Sequence, residues 1–194
     1  MALPPRPVEP EEIRAELLGQ SLRFQTTWGL FSPREIDEGS VLLLAHLKVA
    51  PSDVTIDLGC GYGALGVSIA KACPQGRVLM LDKDFVAVEY AQRNAVLNGL
   101  SNCEVRLSNG LADVQETIAA DTLVSNLPAK VGRELMTTFL LDAHAQLKPG
   151  GQIVVVTING LREYIKKNFQ AVFGNYEKLK QGKTYTVSRA VKSL

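Results

Sequence analysis

An α/β fold built around a mostly parallel β-sheet is the architecture this sequence predicts, and three observations carry the prediction. From Val54 onward, short apolar runs alternate with helical stretches, the pattern of βαβ units whose crossover helices cover a parallel sheet. The first of those runs, "VTIDL", opens into Gly59, Gly61, Gly63 and Gly66, which marks a strand, a tight loop and a helix in succession. The final stretch, "YEKLKQGKTYTVSRAV", offers two strands joined by "QGK" with no helix between them, so the sheet should close with an antiparallel hairpin at its edge.

Taken in order, the elements begin after the proline-rich, acidic lead "MALPPRPVEPEE". The segment "EPEEIRAELLGQ" reads as a short helix, and "LRFQTTWGLF" alternates in a way that predicts a hairpin turning near Trp28 and Gly29. "EIDEGSVLLLAHL" reads as a helix leading into the main body. The strands are then "VTIDL", "RVLMLD", "CEVRLS", "TLVSN" and "QIVVVTI", and the helices run through "ALGVSIAKAC", "FVAVEYAQRNAVLNG", "GRELMTTFLLDAHAQL" and "LREYIKKNFQAVF". A chain of 194 residues suits one domain with a single core. The expected division is an N-terminal extension of helix, hairpin and helix over residues 1–50, packed on a main domain over residues 51–194.

Composition excludes several classes. Hydrophobic residues at 46% and charged residues at 21% are ordinary for a globular protein, and no apolar run reaches the roughly 18 residues of a membrane span. The lead lacks the apolar centre of a signal peptide, which makes a cytoplasmic location the expectation. Cys60, Cys73 and Cys103 form no C-x-x-C pair and only two histidines exist, so neither a disulfide framework nor a Cys/His metal site is expected. Net charge is +1, yet from Arg162 onward eight basic residues face two acidic ones, an asymmetry that reads either as a phosphate-facing patch or as a solvated face.

The glycine loop carries the chemistry. Gly61 to Gly66 satisfy G-x-G-x-x-G, a weak signal alone, and Asp82 ends the second strand of the main body, where a carboxylate can accept both hydroxyls of a ribose. A nucleoside-containing ligand is therefore expected. Between two such cofactors, a nicotinamide dinucleotide brings a pyrophosphate that Asp57 beside the loop would repel, whereas the sulfonium and ammonium of S-adenosylmethionine would be attracted. Charge sign favours S-adenosylmethionine.

At these residues "DLGCGYGALG" resembles the first motif of the Rossmann-like S-adenosylmethionine-dependent methyltransferases. With "GLFSPREIDEGSVLLLAHL" upstream and "SNLPA" downstream, the chain from about Leu22 to its end resembles the small-domain methyltransferases similar to the small-subunit ribosomal RNA guanine N2-methyltransferases. The resemblance implies a three-layer sandwich with a seven-stranded, mostly parallel sheet and an antiparallel last strand. It implies cofactor roles for Asp57, Gly59, Cys60, Gly61 and Gly63 around the methionine moiety, Asp82 on the ribose, and Asn109 with Gly110 beside the adenine, where the family carries an acidic residue. Lys83 or Phe85 would pack on the adenine, and Phe31 and Ser32 would approach the cofactor from the extension, with Gly39 and Ser40 opening the helix behind them. Cys60 reads more readily as a small residue filling the loop than as a cofactor contact, and Tyr62 reads equally as lying against the ligand or covering the core.

The stretch "SNLPA" ends a strand with Asn126, Leu127 and Pro128. A turn explains it blandly, because Asn caps strands and Pro stops pairing. The resemblance implies more, since the family's N-P-P-aromatic motif accepts the two N–H bonds of an exocyclic base amine through the Asn oxygen and the next carbonyl. That assigns catalysis to Asn126, Leu127 and Pro128, places Asn126 at the cofactor as well, and makes ribosomal RNA or the small-subunit particle the expected partner. Leu127 and Ala129 depart from the motif, and Ala129 removes the ring that would stack on a base; Trp28 is the replacement candidate, its other reading being a core cover. A cofactor-binding relative without transfer activity, a methyltransferase for a protein or small-molecule amine, and a nicotinamide oxidoreductase are the rival readings.

Overall fold

The computed structural model describes residues 11–127 and 133–193. Seven strands form one sheet in the order β5-β4-β3-β6-β7-β9-β8, comprising β3 (Val54–Leu58), β4 (Arg77–Asp82), β5 (Cys103–Leu107), β6 (Ala120–Asn126), β7 (Leu147–Ile158), β8 (Glu177–Gln181) and β9 (Tyr185–Val191). The five strands β3 to β7 run parallel, whereas β9 inserts antiparallel between β7 and β8. This is the expected Rossmann-like sandwich with its closing hairpin.

Alternation along the strands builds the two faces. In β4, Val78 and Met80 point to one core and Leu79 and Leu81 to the other; in β7, Val154 and Val156 separate in the same way from Ile153 and Val155. The first core packs beneath α1 (Glu38–His46), α2 (Ala64–Ala72) and α3 (Phe85–Leu97), and the second beneath α4 (Arg133–Gln146) and α5 (Arg162–Phe173). The chain lays down β3, β4 and β5 toward one edge and then returns to β6 on the other side of β3. That reversal leaves a crevice above the carboxyl ends of β3 and β6.

The N-terminal segment departs from the expectation. The described part of the anticipated helix, Glu11–Leu17, is strand β1, and it pairs antiparallel with β2 (Gln20–Thr26) around a turn at Leu18 and Gly19. Both turn residues have positive φ, 52° and 71°, the geometry of a two-residue hairpin turn, and a leucine is an uncommon occupant of it. Trp28 and Gly29 lie in the following loop and not at the hairpin tip. Tertiary packing overrides the helix-forming composition here: Ile13, Leu17, Leu22 and Phe24 enter the first core.

Asn94 of α3 and Asn98, which caps its C-terminus, complete the docking. Asn94 accepts from the Gln25 N–H (2.7 Å) and donates to the Gln25 carbonyl (3.0 Å), while Asn98 does the same for Arg23 at 3.0 and 2.7 Å. Spaced one helical turn apart, they stand in for a neighbouring strand on the outer edge of β2 and leave it less to pair with.

Candidate active site

A cleft of about 310 Å³ lies above the carboxyl ends of β3, β4, β5 and β6. Leu58 to Tyr62 enter it after β3, Asp82 and Lys83 after β4, Ser108 to Gly110 after β5, and Ser125 to Leu127 at the end of β6; Phe31, Asp37 and Ser40 reach it from the N-terminal segment. Most residues that the sequence singled out are therefore brought to one place. Trp28, Ser32, Asp57, Gly63 and Phe85 are not among its walls, and Pro128 and Ala129 lie outside the described residues.

The loop after β3 is tied down by its own backbone. The N–H groups of Gly59 and Cys60 donate to the Leu81 carbonyl at 2.8 and 3.0 Å, Gly61 N–H donates to Asp82 Oδ2 at 2.8 Å, and Gly63 N–H donates to the Cys60 carbonyl at 2.9 Å. Gly59 and Gly61 have φ of 73° and 56°, and a Cβ on either would meet no atom within 4 Å, so conformation and not crowding demands glycine there. Gly66 answers a different need, because a Cβ there would stand 2.4 Å from Met80 Sδ as α2 presses on the sheet. With these donors committed and Asp82 at the rim, the loop offers little to a pyrophosphate. It suits a phosphate-free nucleoside, which speaks against the nicotinamide reading.

Asp57 is not at the mouth, contrary to the expectation. It is fully buried under the loop, where Oδ2 accepts from the Gly66 N–H at 2.7 Å and Oδ1 has no hydrogen-bond partner among the described residues. A short side chain at the end of β3 points into the sheet–helix interface, so its charge reaches the cleft only through the loop. Burial pushes its pKa up to about 7, the Gly66 bond opposing and the nearby Asp82 charge adding to the rise. The folded protein then holds a proton that the unfolded chain has already released above about pH 4. Stability of the cofactor-free protein should consequently fall as pH rises from about 4 to about 7, at no more than roughly 1.4 kcal/mol per pH unit, and level off above. In Asp57→Asn that fall should vanish, as urea unfolding at pH 5 and pH 8 would reveal; an identical fall in the variant would mean that another group titrates.

Burial and hydrogen bonding describe the residues that carried double readings. Tyr62 is a buried core residue that also faces the cleft: its ring meets Phe24 edge-on at 5.9 Å, and its hydroxyl donates to the carbonyls of Ser32 and Glu35, each at 3.4 Å. Burial, with the Asp37 charge, raises its pKa well above the usual phenol value. Cys60 is buried and burial likewise raises its thiol, so it fills space as a neutral group. Phe31 and Trp28 are exposed at 64% and 76%, which rules out the core-covering reading of Trp28. Asp82 turns Oδ1 to the Asp84 N–H (3.0 Å), and each of its oxygens keeps a lone pair for a ligand.

Asn126 sits at the β6 end of the cleft, beside the glycine loop. Its Nδ2 donates to Asp37 Oδ2 at 2.7 Å and to Ser40 Oγ at 3.0 Å, while Leu127 N–H donates to the Val156 carbonyl at 3.0 Å and Ser125 Oγ to the Leu58 carbonyl at 2.6 Å. The Leu127 bond is one that a proline at that position could not make. Asp37 was missed by the sequence reading. An acidic residue before an apolar helix signals an N-cap, which Asp37 is, accepting from the Ser40 N–H at 3.1 Å; nothing local signals its reach to Asn126, 89 positions away.

Comparison with known proteins agrees with this fold. Over 195 residues the chain is 29% identical to ribosomal RNA large subunit methyltransferase G of Shewanella amazonensis, covering 97% of the chain and 50% of the relative. It is 34% identical over 140 residues to ribosomal RNA small subunit methyltransferase C of Hahella chejuensis, covering 70% and 40%. The solved structure of the T. Thermophilus 16S rRNA N2 G1207 methyltransferase (RsmC), in complex with AdoMet and guanosine, superposes with a TM-score of 0.87 at 29% identity over 97% of this chain and 52% of that one. The chain thus spans about half the length of these relatives. The sequence pattern of the family described as methyltransferase small domain matches residues 21–189. On that match, and with the fold and cleft described above, the chain belongs to the methyltransferase small domain family.

Proposed function

We propose that this chain is an S-adenosylmethionine-dependent methyltransferase that methylates an exocyclic amine of a base in ribosomal RNA, with guanine N2 as the favoured position. The observation that carries the reading is the meeting of Asn126 with the glycine loop and Asp82 in one cleft. In this reading Asp82 holds the ribose hydroxyls, Asn109 and Gly110 flank the adenine, Gly59 to Gly61 bound the methionine moiety, and the cofactor supplies an electrophilic methyl group on a sulfonium. Asn126 Oδ1 and the Leu127 carbonyl accept the two N–H bonds of the amine. That arrangement localises the nitrogen lone pair and stabilises positive charge as it develops on nitrogen. With S-adenosylmethionine bound, a C–N bond would form as the C–S bond broke, leaving S-adenosylhomocysteine as the thioether product, and the nitrogen would release its surplus proton to water.

Two surface features support RNA. Lys166, Lys167, Lys178, Lys180 and Lys183 are exposed, and among the described residues no carboxylate pairs with them, whereas Arg162 and Arg189 pair with Glu163 and Glu177. Lysines on the edge strand β8 also discourage pairing with other chains, so it is their continuation onto α5 and the β8–β9 turn that favours a phosphate-facing surface. The second feature is Trp28, exposed three residues before Phe31 at the cleft. Trp28→Ala should leave the melting temperature unchanged and weaken binding to a ribosomal RNA fragment by roughly 1–3 kcal/mol, the worth of one stacked base. Equal affinity in both proteins would remove Trp28 from the RNA surface. The reading as a whole is tested by transfer of labelled methyl from S-adenosylmethionine into unmodified ribosomal RNA, with nucleoside analysis of the product. Label in N2-methylguanosine supports it, and no label in RNA overturns it.

A further inference from the structure

We propose that Asp37, held by Tyr185 and assisted by Ser40, is a positioning residue that locks the Asn126 amide so that only its oxygen faces the methyl-accepting amine. The inference rests on the functional reading above. A free asparagine amide can rotate half a turn and exchange its oxygen for its NH2 group with almost no change of shape. The two orientations have opposite effects on an incoming amine: Oδ1 accepts its N–H, while Nδ2 presents donor to donor.

The structure removes that ambiguity. Both Nδ2 hydrogens have acceptors, Asp37 Oδ2 at 2.7 Å and Ser40 Oγ at 3.0 Å, and a carboxylate can only accept. Among the described residues no donor is bonded to Asn126 Oδ1, which leaves it for the substrate. Asp37 is fixed in turn, since the Tyr185 hydroxyl donates to its Oδ1 at 3.1 Å. The fit around this group is close, because a Cβ at Gly39 would come within 2.8 Å of Asp37 Oδ2 and 3.0 Å of the Tyr185 ring. Helix capping alone does not account for these contacts. A cap needs only the bond from the Ser40 N–H, and serine would supply it. The lock also confers selectivity, because an acceptor-only site favours base amines over base carbonyls.

Asp37→Ser tests the two roles apart, because serine keeps a capping oxygen but draws it one bond nearer the backbone and removes the carboxylate that holds both Asn126 and Tyr185. With ribosomal RNA and S-adenosylmethionine as substrates, Asp37→Ser should lower kcat about 10–100-fold, the scale on which misplacing a reacting group is felt, with the KM for S-adenosylmethionine unchanged. Introduced into an Asn126→Ala background, the same substitution should change kcat by less than about twofold, because its effect passes through Asn126. Additive losses in that cycle would overturn the proposal. A second measurement needs no substrate: in protein labelled with 15N at asparagine, the side-chain amide signals of Asn126, assigned by their loss in Asn126→Ala, should be slow to exchange and should shift and exchange faster in both Asp37→Ser and Tyr185→Phe. Unchanged amide signals in Asp37→Ser overturn the lock. Altered signals in a protein that methylates no RNA uphold the lock and count only against the RNA reading.

Discussion

Replacing Asn126 by alanine should lower methyl-transfer turnover by about 10²–10³-fold, the usual result of removing one preorganised polar group from a reacting centre. The side chain contributes little to the apolar cores, and the bonds it gives up are to Asp37 and Ser40 at the cleft edge, so the fold should survive. Affinity for S-adenosylmethionine should stay near that of the unaltered protein, because the proposed reading assigns ribose and adenine to the ends of β4 and β5. Calorimetry and single-turnover kinetics on one preparation separate these effects. A matching loss of affinity would reassign Asn126 to the cofactor pocket and remove it from the chemistry.

Asp82→Ala should act on the opposite quantity. Charge-assisted hydrogen bonds to ribose hydroxyls are worth roughly 1.5–3 kcal/mol each, so losing the pair should weaken S-adenosylmethionine about 10²-fold or more. The substitution also releases the Gly61 N–H, now bonded to Asp82 Oδ2 at 2.8 Å, and loosens the loop that cradles the ligand. Far-ultraviolet circular dichroism should remain that of the parent, since Asp82 stands at a strand end. Unchanged affinity by calorimetry would sink the assignment of the cleft to this cofactor.

What local pattern could reveal and what it could not divide cleanly at particular residues. The strands from Val54 to Ile158 were legible because period-two alternation must place Val78 and Met80 opposite Leu79 and Leu81 wherever the strand lies in a covered sheet. The β8–β9 hairpin was legible because no helix-length segment separates its strands. Residues 11–17 were misread, since charged and helix-forming side chains suggested a helix, while pairing of β1 with β2 decided for a strand; the extended character of Leu22 to Thr26 was legible, but its partner strand precedes it and does not follow Trp28. The β1–β2 turn at Leu18 carries no recognisable turn residue ahead of Gly19.

By itself, then, the sequence determined the α/β class, the order of its strands and helices from β3 onward, the glycine loop and the arrival of Asp82, Asn109 and Asn126 at strand ends on one rim of the sheet. Each of these follows from short-range periodicity or from glycine's backbone freedom, which act within a few residues. Tertiary structure alone decided that Asp57 would be sealed beneath the loop and that Asp37 would meet Asn126 and Tyr185 across 89 and 148 positions of chain. Burial of a carboxylate and the direction of an amide depend on which surfaces close over them, and chain separation of that size leaves no local trace of the contact.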